Sequence, residues 1–321
     1  MKNNIDIKLL AKETFQLEAE NILALSDKID DAFVQVVESI LTLNGRVIIT
    51  GIGKSAIIAQ KIVATLNSTG TPAIFMHAAD AIHGDLGVIQ KNDLIIALSK
   101  SGNTPEIKVL VPFLKQTNNT LVAMVGNKNS FLAEQADFVL DTTITREACP
   151  NNLAPTTSTT VQLAMGDALA VCLQSKRQFS DQDFAKYHPG GALGKQLYLK
   201  VGDLSDNHGI PQVNSDTGIR QILISITEYR LGATVVVDNE QILGIITDGD
   251  IRRMLEKNLE VSTLTATDIM SSSPKTIERS ELAVNALHEM RQKSISQLIV
   301  TQDGKYAGIV HIQDILKEGI I

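Results

Sequence analysis

Along the first forty residues apolar positions recur at helical spacing. Ile29, Phe33, Val36, Val37, Ile40 and Leu41 share one face, so residues 5–43 are expected to form two amphipathic helices. After Leu43 the pattern changes. Short unbroken apolar runs at 46–50, 73–77, 93–97, 120–125 and 138–140 alternate with polar turns and with segments of helical spacing. Runs this short with no polar alternation fit strands buried on both faces. Their alternation with helices predicts an α/β domain, a doubly wound five-stranded parallel sheet with helices on both sides. A long helix is expected from Thr157 through Leu173, and the loop His188-Pro189-Gly190-Gly191-Ala192-Leu193-Gly194 closes this half near Lys200.

Beyond Val201 the chain repeats itself. Gly244-Ile245-Ile246-Thr247-Asp248-Gly249-Asp250-Ile251 aligns with Gly308-Ile309-Val310-His311-Ile312-Gln313-Asp314-Ile315 at an offset of 64 residues (244 to 308), and 235–237 pairs with 299–301 at the same offset. The expected organisation is therefore residues 1–200, then two α+β units at 201–262 and 263–321. A duplicated strand-strand-helix unit of this size suits a small-ligand cleft or a packing module better than catalysis.

Composition narrows the classes. Apolar residues make up 44% and charged residues 20% of 321 residues, which fits a folded globular chain with ample core. A net charge of −7 argues against nucleic acid as the main partner. Two cysteines, Cys149 and Cys172, make no disulfide framework and lack metal-ligand spacing, which fits a reducing compartment. The start Met1-Lys2-Asn3-Asn4-Ile5 does not resemble a leader, and no apolar run approaches the ~20 residues of a membrane span. The expected location is the cytoplasm, away from membranes.

The candidate chemistry lies in the turns after the strands. In Leu98-Ser99-Lys100-Ser101-Gly102-Asn103-Thr104-Pro105-Glu106, three hydroxyls and a glycine stand where a strand passes into a helix, with Thr104 or Asn103 as N-cap and Pro105 near N1. Free amides and the positive end of the helix dipole suit a phosphate there, although an ordinary capped turn uses the same residues. Gly51-Ile52-Gly53-Lys54-Ser55 is not a nucleotide P-loop, because the glycine needed five residues before Gly53 is Ile48. Gly51, Gly53 and Ala56 fit a dinucleotide fingerprint, but the second strand ends at His77 without the acidic ribose ligand. Lys54 is better suited to a phosphate or a developing oxyanion. Glu106, in the first turn of its helix, is either a dipole partner or a general base. Glu147 and His188 are loop residues able to move protons, and His77 and His83 flank another strand-end loop.

These motifs together resemble a known family. Ser99-x-Ser101-Gly102-x-Thr104-x-Glu106 is similar to the signature of the sugar isomerase (SIS) domain. Combined with Gly51-x-Gly53-Lys54-Ser55, His83-Gly84-Asp85-Leu86-Gly87, Glu147-Ala148-Cys149-Pro150, Ala154-Pro155-Thr156, Met165-Gly166-Asp167-Ala168 and the 188–194 loop, it resembles the D-arabinose 5-phosphate isomerases. The repeat resembles a tandem pair of CBS domains, whose nucleotide motif reads Gly244, Thr247 and Asp250 in the first copy, while His311 replaces the threonine in the second. The resemblance implies interconversion of D-ribulose 5-phosphate and D-arabinose 5-phosphate, the entry to the octulosonate sugar of lipopolysaccharide. It implies catalytic roles for Lys54, Glu106, Glu147 and His188, with either glutamate as the base. It also implies substrate contacts from Gly70, Thr71, His83, Ser99, Ser101 and Thr104. A nucleotide-type effector at Thr247 and Asp250, zinc at His77 without any cofactor being required, and a homotetramer complete the expectation. His188, on a late loop, is expected to serve a neighbouring subunit's site. Two other readings stand beside it. One is a sugar-phosphate sensor without catalysis, which would leave the four chemical residues idle. The other is isomerisation of an amino-sugar hexose phosphate.

Overall fold

The computed structural model describes residues 6–257 and 260–321, and the chain forms two compact units, one ending at Tyr187 and one beginning at His188. The stretch 1–5, read above as no leader, lies outside the described residues.

The first unit opens with α1 (Ile7–Leu23) and α2 (Asp31–Leu41), each started by an aspartate (Asp6, Asp30) whose carboxylate accepts first-turn amides. The alternation then follows as β1 (Val47–Gly51), α3 (Lys54–Ser68), β2 (Ala73–His77), α4 (Ala78–Ala81), β3 (Leu94–Ser99), α5 (Pro105–Gln116), β4 (Thr120–Val125), α6 (Phe131–Gln135) and β5 (Phe138–Asp141), completed by α7 (Thr157–Arg177) and α8 (Asp181–Tyr187). All five strands are parallel, in the order β2-β1-β3-β4-β5.

The unbroken apolar runs reflect a sheet covered twice. Val47 and Ile49 point into a core shared with Phe33 and Val37 of α2, Ile62 and Leu66 of α3, and Met165 and Leu169 of α7. Ile48, Ile95 and Leu121 point the other way, against Ile107, Leu110 and Leu114 of α5. Successive residues of a strand face opposite sides, so every position must be apolar when both sides are buried. Because α3 leaves β1 on one face and α5 leaves neighbouring β3 on the other, the chain turns outward in opposite directions between these two strands. This is the switch point at which open α/β sheets leave a crevice at the carboxyl edge.

The second unit holds α9 (Ala192–Tyr198), α10 (Val201–Ser205), β6 (Gln212–Val213), α11 (Ile219–Tyr229), β7 (Ala233–Asp238), β8 (Gln241–Thr247), α12 (Asp248–Glu256), α13 (Ala266–Ile269), β9 (Thr276–Glu278), α14 (Ala283–Lys293), β10 (Gln297–Gln302), β11 (Lys305–His311) and α15 (Ile312–Lys317). The 188–194 loop is shorter than the sequence suggested, because α9 begins at Ala192. Each copy forms a three-stranded sheet with one parallel and one antiparallel pair, and Val235 and Ile299 join the two sheets in one cluster. The leading helices are exchanged between copies. Val201 and Leu204 of α10 are buried with the second sheet, and Ala266 of α13 is buried with the first.

At the amino edge of the main sheet, Arg46 and Asp93 tie β1 to β3. The Arg46 amide donates to Asp93 Oδ1 at 2.8 Å, its guanidinium donates to Oδ2 at 2.9 Å, and the Gln90 amide donates to Oδ2 at 2.8 Å. Burial acts to raise the Asp93 pKa, but the Arg46 and Gln90 donors outweigh it and hold the carboxyl below its ordinary value. Its stabilising contribution is therefore complete above the unfolded carboxylate value and fades as pH falls through the lowered one. Asp93→Ala leaves a guanidinium and two amides without their acceptor. The expected loss is about 2–3 kcal/mol, measured as a lowered urea midpoint at pH 7.

Candidate active site at the sheet switch point

Two helix N-termini meet the carboxyl edge at β1 and β3, and neither is capped by a side chain. Gly53, the N-cap of α3, has φ 58°, a left-handed conformation that glycine adopts without strain. Lys54 follows as the first helical residue and is exposed. The N-cap of α5 is Thr104, with Pro105 at N1, as the sequence indicated. Its hydroxyl does not cap the helix but lies 3.0 Å from Ser99 Oγ, which in turn accepts from the Gly102 amide at 3.1 Å. Ser101 Oγ accepts from the Asn103 amide at 3.2 Å. The hydroxyls thus rigidify the loop and leave the first-turn amides of α5 without a side-chain acceptor, an arrangement suited to an anion. Gly102 is required twice over. Its φ is 62°, and a Cβ there would overlap Ser130 Oγ of the following β-α connection.

The two glutamates differ sharply. The Glu106 carboxylate, half-buried in the first turn of α5, makes no hydrogen bond or ion pair with any other described residue, and the same holds for the Lys54 ammonium. Glu147, beyond β5, is wholly buried and fully engaged. Its Oε2 accepts the Thr156 amide at 2.9 Å, the Thr156 hydroxyl at 3.2 Å and the Ser158 amide at 3.1 Å, so this loop carboxylate caps α7 in place of the N-cap side chain. Its Oε1 has no aligned hydrogen bond but lies 2.6 Å from Lys100 Nζ. Burial alone would raise the pKa of Glu147. The Lys100 ammonium and the Ser158 and Thr156 donors outweigh it and hold the carboxyl at about 2.

Lys100 and the α7 donors are the residues that sequence reading missed. Lys100 was an unspecified position inside the hydroxyl motif, and a cation in that place was the available signal. Thr156 belongs to the Ala154-Pro155-Thr156 motif and Thr157 to the expected helix start, but neither signal marks them or Ser158 as donors to Glu147. Another link, Ser55 Oγ to Gln162 Oε1 at 3.2 Å, fixes the first turn of α3 to α7, and no pattern in the sequence marks it.

Other expected site residues fall elsewhere. Gly70 and Thr71 precede β2 and therefore stand at the amino edge, the opposite end of the parallel sheet from Ser99 and Lys54. The fold does not bring them to that cluster within one chain. Instead Arg177 donates to the Gly70 carbonyl and the Thr71 hydroxyl, and a Cβ on Gly70 would crowd the Phe179 ring at 2.8 Å. His83 is exposed after α4, on the carboxyl side of β2. His188 opens the second unit, where its carbonyl accepts the Gly191 amide at 3.1 Å. His77 Nδ1 lies 3.5 Å from Asp80 Oδ2, and among the described residues no group of three or more His, Cys, Asp or Glu could hold a metal. One histidine and one carboxylate do not make a closed zinc site within a chain. In the first CBS-like copy, Thr247 and Asp250 form a capping box on α12. The Thr247 hydroxyl donates to Asp250 Oδ2 at 2.6 Å, and Arg253 and Ser271 occupy Oδ1 at 2.6 and 3.3 Å. In the second copy His311 caps α15 and Asp314 pairs with His208 at 2.7 Å.

Comparison with known proteins agrees with this architecture. The SIS domain family matches residues 40–172 and the CBS domain family matches 201–257 and 266–320. Arabinose 5-phosphate isomerase KdsD of Pseudomonas aeruginosa is 44% identical over 100% of this chain and 99% of its own length, and KdsD of Escherichia coli K12 is 39% identical over 100% and 98%. An Escherichia coli CFT073 protein solved in complex with arabinose 5-phosphate is 38% identical, covers 58% of this chain and 100% of its own, and superposes with a TM-score of 0.56. Fold and motifs thus define a SIS-domain protein with a tandem CBS pair. Within that class, the chain belongs to the arabinose 5-phosphate isomerase family.

Glu147→Ala removes the cap of α7 and the partner of Lys100 together. The expected cost is about 2–3 kcal/mol at pH 7, read as a urea midpoint. The stability carried by Glu147 should be full above the unfolded carboxylate value near ~4.3 and lost as pH falls towards about 2.

Proposed function

We propose that this chain interconverts D-ribulose 5-phosphate and D-arabinose 5-phosphate through a cis-enediolate. The observation that carries the reading is that Lys54 and Glu106, the first-turn cation of α3 and the first-turn carboxylate of α5, have no partner among the described residues. They flank the switch point from adjacent strands, beside a hydroxyl loop with uncapped amides. Full-length similarity to proteins named arabinose 5-phosphate isomerase supports the substrate.

In this scheme the phosphate rests on the first-turn amides of α5, with Ser101 and the Ser99–Thr104 pair shaping its seat. Glu106 takes the C1 proton of the ketose and returns it to C2, while a hydrogen passes between O1 and O2. Lys54 faces the negative charge that develops on the enediolate oxygens. His188 serves ring opening or the oxygen-to-oxygen transfer. Of the two glutamates, Glu106 is preferred as base because Glu147 spends its lone pairs on α7 and Lys100. The chemistry as proposed draws on no cofactor, and zinc at His77 is no part of it.

The same reading places the chain in the cytoplasm as a homotetramer supplying arabinose 5-phosphate for the octulosonate of lipopolysaccharide. Contacts from Gly70 or Thr71 to substrate would then come from another copy. A nucleotide-type effector at Thr247 and Asp250 would have to displace Arg253 from Asp250. The ligand is a small sugar phosphate, with no role for nucleic acid.

Incubating folded protein with ribulose 5-phosphate should yield arabinose 5-phosphate. No product from folded protein would leave the sensor reading, and turnover of an amino-sugar hexose phosphate in place of the pentulose would redirect the substrate. Lys54→Ala should abolish nearly all turnover with the fold intact, and Glu106→Gln should lower kcat by about a hundredfold to ten-thousandfold. Retention of most activity in either variant removes that residue from the scheme.

A further inference from the structure

A lysine inside a phosphate-friendly loop would ordinarily be assigned to the phosphate. Lys100 is placed otherwise. Its neighbours Ser99 and Ser101 turn their hydroxyls back into the loop. Its carbonyl accepts the Gly126 amide at 3.0 Å, which fixes its backbone to the end of β4. Its ammonium reaches past β4 to Glu147 at 2.6 Å. The two partners are unequally exposed, with the Lys100 side chain 41% exposed and that of Glu147 0%. The cation can therefore be hydrated, while the carboxylate depends entirely on the protein. Among the described residues, the other charged or titratable groups that interact with Glu147 are on its own loop. They are Arg146, whose guanidinium donates to the Glu147 carbonyl at 3.4 Å, and Cys149. The first turn of α7 offers only the hydroxyls and amides of Thr156, Thr157 and Ser158.

We propose that Lys100 is a positioning residue, whose ammonium locks Glu147 Oε1 as an anion of fixed orientation and cancels its charge beside the phosphate loop. Glu147 then acts as a fixed strut that ties the β3–α5 loop to α7. Without Lys100, a buried carboxylate next to that loop would either repel a dianionic phosphate or take up a proton and lose its orientation. Lys100 thus keeps the loop electrically open to the substrate and leaves proton transfer to Glu106. The inference rests on the isomerase reading for its kinetic consequence but not for its electrostatic one.

The test uses the full chain as wild type, Lys100→Met and Lys100→Arg. Carbon-detected NMR of glutamate carboxyls, with Glu147→Gln assigning the resonance, reads the charge of Glu147 without any turnover. In the wild type the resonance should stay ionised from pH 8 to pH 4. In Lys100→Met its midpoint should rise by at least one pH unit, and Lys100→Arg should restore the wild-type behaviour. Kinetically, KM for ribulose 5-phosphate in Lys100→Met should rise about tenfold at pH 8, with kcat changing less. An unchanged Glu147 titration in Lys100→Met overturns the proposal, as does an unchanged KM. If Lys100→Met folds poorly, urea midpoints of Lys100→Gln, Glu147→Gln and their double variant decide. A double variant at least as stable as either single one supports the lock, and additive losses overturn it. Wild-type protein without isomerase activity would overturn the isomerase reading alone, since the NMR outcome stands apart from it.

Discussion

The first unit depends on the reversal of winding between β1 and β3. In a parallel sheet each connection must cross from one edge to the other, so all the strand-to-helix turns collect at the carboxyl edge. Where two adjacent strands send their helices to opposite faces, their turns diverge and a crevice opens between them. The order β2-β1-β3-β4-β5 puts that divergence between Gly51 and Ser99, the places where the Gly-Lys turn and the hydroxyl loop begin. The apolar demands on both faces fix the strands, the strands fix the edge, and the edge brings together residues about fifty positions apart in sequence.

Charge is distributed along the sheet in a consistent way. At the amino edge Asp93 is enclosed and answered by Arg46, which stabilises the junction of β1 and β3 away from any chemistry. At the carboxyl edge Glu147 is enclosed and answered by Lys100 and by α7. Between these committed pairs Lys54 and Glu106 are left uncommitted among the described residues. An anionic ligand changes the position of each in a different way. Lys54 stands at the positive end of α3, where a cation is unfavourable until an anion arrives. Glu106 stands where a carboxylate is favoured by the dipole yet competes with a phosphate for the same amides.

The second unit follows a different logic. Its two copies are joined by an apolar seam and by the exchange of α10 and α13, so neither sheet is covered by its own leading helix alone. The motif residues carry internal loads: Thr247 and Asp250 cap α12, and His311 caps α15. The replacement of threonine by histidine therefore preserves the cap, with an imidazole nitrogen in place of a hydroxyl oxygen. A side chain serving as an N-cap must accept from the helix, and the Nδ1 of His311 does so from Gln313 at 3.1 Å.

Much of this was legible in the sequence for a direct physical reason. Strand period, helix spacing, the Thr104–Pro105 start of α5 and the 64-residue repeat are local or periodic signals, and they gave the layers, the strand count and the phosphate-friendly turn. Single motifs also marked Lys54, Glu106 and Glu147. Strand order was not legible, because register and neighbours depend on which apolar faces pack together. Gly70 and Thr71 stand at the amino edge for a simpler reason, since they precede a strand of a parallel sheet, and this sets them apart from the loop with which they had been grouped. Nor was the difference between the two glutamates legible, since it arises from Lys100, Thr156 and Ser158, which reach Glu147 from other elements. The chain alone determined which chemical groups are present at strand ends. The tertiary structure decided which of them are already spent on holding it together, because burial and partnership are properties of contacts between distant segments.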